Sequence, residues 1–222
     1  MEGDDALDAV CERIGQLDRR TVGHPTRVAI DGITAAGKTT FAAALTTALR
    51  DLGRTVIPVT MDGFHHPRAT RYRQGRGSAD GYYEDAYDLD AVRRSLLAPL
   101  GPGGDRRYRK AIIDLATDEP VDEPPRTAER DAVLVVDGSF LQKPALRDAW
   151  DLVVHLRTSF AAAEARGARR DADALGGLDA ARTAFRTRYH AAQRRYLAEC
   201  DPEANADVVL DVEDPATPIL IR

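Results

Sequence analysis

Near the start of the chain, Leu7, Val10, Cys11, Ile14 and Leu17 recur three and four residues apart. This spacing predicts an amphipathic helix over about residues 4–20. The pattern then changes: RVAID (27–31) and TVIPVT (55–60) are short, apolar and rich in β-branched residues, as strands are. Between them, Phe41, Leu45, Leu49 and Leu52 share one face of a helix that Gly53 stops. Strand, helix and strand predict a right-handed βαβ unit, with its second strand beside the first. AVLVVD (132–137) is apolar throughout, as a strand covered on both faces must be, and LVVHL (152–156) and DVVLDV (207–212) repeat the pattern more weakly. The fold class expected is α/β: a mostly parallel, roughly five-stranded central sheet between layers of helices, in one domain over residues 1–222.

Two stretches fit neither period simply. Residues 62–88 are rich in arginine, glycine and tyrosine, and are expected either to fold over a ligand or to form a surface excursion. Further on, Arg166, Arg169 and Arg170 have helical spacing and are expected to share a face. Gly176 and Gly177 follow as hinge residues, which marks about 158–178 as a lid. Asp171 and Asp173 offer the alternative of a surface ion-pair network. Phe185, Tyr189, Ala192 and Tyr196 are assigned to the core.

Charge narrows the function classes. The chain of 222 residues has a formal net charge of −5, which argues against a protein held on nucleic acid or membrane by bulk charge. Cys11 and Cys200 have no metal-ligand spacing and read as buried or idle thiols in a reducing compartment. The opening MEGDDALDAV is acidic, unlike a signal peptide, and no apolar run would span a bilayer. A cytoplasmic protein is expected, acting on a small molecule without nucleic-acid or membrane partners; homo-oligomerisation is left open.

The junction between the first strand and its helix carries the chemistry. Gly32-Ile-Thr-Ala-Ala-Gly37-Lys38-Thr39 fits G-x-x-x-x-G-K-[ST], the phosphate-binding loop. Gly32 and Gly37 let the backbone turn so that successive N–H groups, those of Ala35 and Ala36 among them, face phosphate oxygens. The helix beginning at Lys38 adds its positive end. Lys38 can reach the β- and γ-phosphates and Thr39 can ligate Mg²⁺, while Thr40 packs or caps. ATP and Mg²⁺ are therefore the expected cofactors.

Other positions choose among phosphate-loop proteins. The N-K-x-D reader of guanine switches is missing, because the sole asparagine, Asn205, precedes Ala206. The strand VLVVDGSF ends in Asp137-Gly138, which offers Asp137 to Mg²⁺ but no adjacent glutamate to activate water. In VIPVTMDGFHHPR, Asp62 would face the γ-phosphate from the acceptor side and take a proton from an attacking hydroxyl, with Gly63 permitting the tight turn that exposes it. A turn-capping role for Asp62 is the alternative. Acceptor contacts are expected from Asp62, His65, Arg71, Arg73, Tyr83 and Tyr108. The arginines of RYRQGRG, with Arg68, could hold an anion or form a solvated loop. Tyr82 and Tyr83 could stack on a base or pack.

These motifs together resemble the uridine kinase, pantothenate kinase and phosphoribulokinase family of P-loop kinases, over almost the whole length after residue 26. VTMDGFHHP is similar to the pantothenate kinase segment whose aspartate is the catalytic base, here Asp62. YYEDAYDLDAV (82–92) resembles a uridine kinase segment. VLVVDGSFL is similar to a strand that ends in Glu-Gly in the family, with Asp137 in the glutamate's place. EARGARRD (164–171) resembles the arginine-rich lid helix, which implies that Arg166 and Arg170 contact ATP phosphates, with Arg169 beside them. ADVVLD (206–211) is similar to the strand before the adenine-side loop. The resemblance implies the P-loop NTPase three-layer sandwich and transfer of a γ-phosphate to a hydroxyl, most readily that of a nucleoside. Where uridine kinases carry a loop histidine that reads the pyrimidine, this chain has Asp118, so altered base selectivity is expected. Pantothenate, sugar or phosphosugar kinases, and a non-catalytic nucleotide-binding regulator, are the alternatives.

Overall fold

The computed structural model describes residues 2–18 and 23–222. The first helix, α1 (Glu2–Asp18), buries Ala6, Val10, Cys11 and Ile14, so the apolar spacing translates into a packed face. The end of the expected helix, residues 19–20, lies outside the described residues.

Six strands form the main sheet: β1 (Thr26–Gly32), β2 (Val56–Thr60), β3 (Val133–Asp137), β4 (Leu152–Arg157), β5 (Val208–Asp211) and β6 (Ile219–Leu220). Their order across the sheet is β2-β3-β1-β4-β5-β6. The first five are parallel, at the places where the apolar runs predict strands. The sixth, Ile219–Leu220, is a two-residue antiparallel return on β5, too short for its apolar residues to show a strand pattern. β2 corrects one expectation. It does not lie beside β1, because β3 is inserted between them and pairs with both. The crossover through α2 (Lys38–Asp51) skips one strand position, which a later, fully apolar strand fills.

Helices cover both faces. On one side α2 buries Phe41, Leu45 and Leu49 against Val28, Ile30 and Val135, together with α1. Each such side chain removed from water contributes about 2 kcal/mol. On the other face, Phe140, Tyr196 and Leu96 are completely or almost completely buried in a second cluster. This side is built by α3 (Ala79–Asp85) and by α6 (His190–Cys200). A lid helix, α4 (Phe160–Arg170), follows β4. α5 (Leu178–Ala184) runs into α6 through a π-helical turn at Phe185–Tyr189. Cys11 and Cys200 are both buried and unpaired. Among the described residues no helix is long and apolar enough to cross a membrane.

Parallel strands bring their carboxyl ends to one edge, where ligands bind in open α/β sheets. The register levels Ile30, Asp137 and Thr60 across β1, β3 and β2. The phosphate loop, Asp137 and Asp62 therefore emerge at the same edge despite the inserted strand.

Candidate active site

The loop from Gly32 to Gly37 closes tightly between β1 and α2. Gly32 and Gly37 have φ of 153° and 98°, and Ala35 has a φ of 65°. A Cβ on Gly32 would lie 2.8 Å from the Leu156 carbonyl oxygen, so a side chain there would collide with β4. The first hydrogen bond of α2 runs from Phe41 N–H to the Gly37 carbonyl at 3.0 Å. The preceding N–H groups, Lys38 to Thr40, belong to the open first turn that anions favour.

Lys38 is buried, and its ammonium donates to the Ile33 carbonyl at 2.8 Å. Burial pulls it down to about 8, against the opposing charges of Asp31 and Asp137. Asp31 lies fully buried at the end of β1, a role the sequence reading missed. Its Oδ2 accepts from Gln142 Nε2 at 3.0 Å and Tyr196 Oη at 2.9 Å, with His155 Nδ1 at 3.3 Å. Burial works to raise this carboxyl, but those hydrogen bonds and the His155 charge outweigh it and hold Asp31 below its ordinary value. A fixed negative charge thus underlies the lysine.

Thr39 Oγ1 donates to Asp137 Oδ2 at 2.6 Å. Burial raises the Asp137 carboxyl, partly opposed by the Thr39 bond and the Lys38 charge. A hydroxyl and a carboxylate in contact at a phosphate loop are hard oxygen donors suited to Mg²⁺, which takes few protein ligands and completes its shell with phosphate oxygens and water. Among the described residues no group of three or more His, Cys, Asp or Glu could hold a metal alone.

Asp62 sits in a short 3₁₀ turn, Met61–Phe64, whose N-cap is Thr60. It is therefore held by a cap instead of supplying one. Its side chain is 62% exposed and opens into a cavity of about 610 Å³ that also reaches Lys38, Thr39 and Asp137. Gly63 does not adopt the left-handed backbone expected of a tight turn. It is small because a Cβ would lie 2.7 Å from that of Ala111. His65 Nε2 stands 3.6 Å from Asp62 Oδ1. Its Nδ1 is 2.8 Å from the Ala86 carbonyl, which can only accept, so Nδ1 carries a hydrogen. The His65 hydrogen bond and charge, helped by Lys38 and Arg170, outweigh burial and hold Asp62 below its ordinary value. The His65 ring stacks on Tyr87 with centroids 4.3 Å apart.

The lid arginines divide. Arg166 bonds the Ala35 carbonyl at 3.2 Å, the Glu213 carbonyl at 2.9 Å and Thr158 Oγ1 at 2.9 Å. It ties α4 to the phosphate loop and to the segment after β5. Arg170 pairs with Asp171 at 2.7 Å and lines the main cavity. Arg169, expected on the same face, is exposed and lines neither the main cavity nor the smaller one by Arg166 and Pro215. One residue of α-helix is a turn of about 100°, enough to separate it from Arg170. Thr40 lies at that smaller cavity, between the phosphate loop and Pro215.

Three acceptor expectations are corrected. Tyr83 is buried away from the cavity and donates to Glu199 Oε2 at 2.8 Å. Its neighbour on α3, Tyr82, faces the cavity and lies 3.3 Å from Thr34 Oγ1. Tyr108 is buried in a small antiparallel ribbon of Arg107–Tyr108 with Arg126–Thr127, outside the cavity. Arg73 turns outward and is neutralised by Asp85, its Nε 2.9 Å from Oδ2. Arg71 does line the cavity, but Asp118 pairs with it at 2.8 Å and also accepts from Arg68 N–H. Asp118, in the histidine's place, is committed to these arginines. Arg188 and Arg76 line the same cavity and complete its cationic wall. Arg188 was hidden in a stretch whose apolar spacing reads as core.

No family model and no curated relative matches the chain. Solved structures do. The chain is similar to a possible uridine kinase from Bacillus stearothermophilus, with 25% identity, TM-score 0.73, and 94% of this chain and 99% of that one covered. It is similar also to a candidate fructose transport system kinase from Silicibacter sp. TM1040, with 27% identity, TM-score 0.68, and coverage of 86% and 94%. A D-glycerate 3-kinase from Cryptococcus neoformans shares the fold at 13% identity and TM-score 0.57, with 83% and 87% covered. Phosphate loop, strand order and these likenesses together support a place for the chain among the uridine kinase-like P-loop kinases.

Proposed function

We propose that the chain is an ATP-dependent kinase that phosphorylates a hydroxyl of a small molecule. The observation that carries the reading is one cavity shared by Lys38, the Thr39–Asp137 pair and the Asp62 carboxylate. Mg²⁺-ATP, when bound, supplies the γ-phosphoryl group and the metal charge that neutralises it. Lys38 and the open N–H groups of α2 hold phosphate oxygens, and Thr39 with Asp137 holds the metal. Arg166 fixes the lid on the loop, while Arg170 presents its charge to the transferring group. Asp62, kept ionised by His65, accepts a hydrogen bond from the acceptor hydroxyl, holds it in line and takes its proton.

The nucleoside acceptor expected from the sequence has support in the aromatic faces of Tyr72, Tyr82 and Tyr87 along the cavity. A sugar-like acceptor has support in the cavity's arginines and in the likeness to the fructose transport system kinase. The test is ADP release with saturating Mg²⁺-ATP across uridine, cytidine, purine nucleosides, pantothenate, sugars and phosphosugars. Release that depends on one acceptor class is expected. ATP binding without acceptor-dependent release throughout would instead make the chain a nucleotide-binding regulator.

A further inference from the structure

Three guanidinium groups converge on a single phenol ring. The Cζ atoms of Arg76, Arg71 and Arg188 lie 5.0, 5.1 and 5.5 Å from the centroid of Tyr72. All four residues line the main cavity. Like charges gathered around one ring repel one another unless anions intervene. Among the described residues one of the three has a carboxylate partner: Asp118 takes Arg71 at 2.8 Å, with Arg68 beside it at 3.9 Å. Arg76 and Arg188 have no carboxylate partner among the described residues.

Arg188 is the more telling of the two. Its Nε is buried and makes no hydrogen bond, and its sole recorded bond runs from Nη1 to Tyr189 Oη at 3.4 Å. The guanidinium is held by ring faces, 5.2 Å from the Tyr82 centroid and 5.1 Å from that of Tyr189. Aromatic faces attract a cation without occupying its N–H donors, so the planar fork stays available to an oxyanion. Tyr72 reports the same field: burial works to raise its phenol, yet Arg71, Arg188 and Arg76 together hold it below its ordinary value.

We infer that Arg188 and Arg76 form an oxyanion subsite, so that the acceptor carries a phosphate monoester or a carboxylate remote from the hydroxyl placed at Asp62. The inference rests on the proposed kinase reading only for calling the bound anion an acceptor. It separates this cavity from one built for a neutral nucleoside, where two uncompensated arginines would be a net cost. The Arg71–Asp118 pair keeps the wall's geometry whether or not a ligand is bound, while Arg188 and Arg76 supply the free charge.

The test begins with protein saturated with Mg²⁺ and a non-hydrolysable ATP analogue, so that the phosphate loop is filled. Inorganic phosphate is titrated in one arm and acetate in another, followed by calorimetry. Saturable binding at millimolar concentration is expected for at least one, and the arm that binds identifies the anion class. Arg188→Gln and the exposed Arg76→Gln should each weaken it about tenfold. Arg188→Lys should recover part of the loss, since it restores the charge but not the fork. No saturable binding in either arm, or binding unchanged in Arg188→Gln, would overturn the subsite. Turnover is then read separately with ribose and ribose 5-phosphate, and with glycerol and glycerate. An anionic member preferred about tenfold or more, with an acceptor KM that rises in Arg188→Gln while the ATP KM holds, extends the subsite to the acceptor. A neutral member preferred overturns that extension. Anion binding with no ADP release from any acceptor would refute the kinase reading and leave the subsite standing.

Discussion

The two halves of the cavity handle charge in opposite ways. Around the phosphate loop the chain's own groups meet one another: Lys38 over Asp31 and Asp137, Thr39 on Asp137, Arg170 on Asp171. Around Tyr72 the arginines outnumber the carboxylates, and Arg188 keeps a buried donor unused. The first half is pre-wired for a ligand whose chemistry is always the same. The second is left charged for a ligand that must supply the balance. A phosphate site can thus be built from local backbone geometry, whereas an acceptor site is specified by what it lacks.

The largest effect should come from the first half. Lys38→Met is expected to lower transfer by about a thousandfold, the scale lost with a preorganised charge-stabilising donor. Circular dichroism should show the fold kept. Near-normal activity in the folded variant would dissolve the distinction, since the phosphate chemistry proposed for that half would then reside elsewhere.

Asp62→Asn probes the boundary between halves. Turnover should fall by roughly a hundredfold, as for loss of a general base, while ATP affinity measured by titration stays within a few-fold. Unchanged turnover would return Asp62 to a structural part in its capped turn.

A smaller effect is expected from pH. Lys38 is held at about 8 in the free protein, so it loses its charge as pH rises through that value. ATP affinity should therefore be retained at lower pH and weaken by about tenfold between roughly pH 7 and 9.5. Lys38→Arg, which stays charged, should remove that alkaline fall even though its activity is impaired. A flat profile for the native protein would show that Lys38 is already charged throughout this range in the free protein, titrating above the value of about 8.

The smallest effects sharpen the acceptor side by exclusion. Tyr83→Phe should leave the acceptor KM unchanged and cost about 1 kcal/mol in urea unfolding, through the lost bond to Glu199. Arg73→Ala should leave the acceptor KM unchanged too, while lowering stability because the buried Asp85 loses its partner. A rise in acceptor KM in either would redraw the cavity wall.

What was legible in the sequence follows from range. Gly32, Gly37, Lys38 and Thr39 lie within one turn of chain, so their spacing already encodes their geometry. β1, β3 and β4 were legible because a strand buried on both faces must be largely apolar, and the edge strand β2 through its short β-branched run. The neighbour of β1 was not, since a βαβ unit leaves open whether a later strand enters the gap. Tyr82 and Tyr83 differ by one step around a helix, and nothing in an isolated tyrosine pair says which faces inward. Arg73 and Arg71 were equally unresolved until Asp85 and Asp118, far along the chain or folded back, chose their partners. Arg188 was the hardest, because the apolar residues around it pointed to core.

That last case has a cause in the π-helical turn at Phe185–Tyr189. Ala181 before it, Phe185 at its start, and Ala192 and Tyr196 after it are all buried. An i→i+5 turn holds one residue more than the α-helical turn it replaces, and it is within this turn that Arg188 and Tyr189 reach the cavity. The position of Arg188 is therefore fixed by a residue count as much as by side-chain identity. Excising Thr187 would let the segment relax to ordinary helix and swing the guanidinium by about 100° relative to one flank. Divergence of acceptor choice in such a fold has a route through single-codon insertion and deletion, which comparing side chains position by position would never detect.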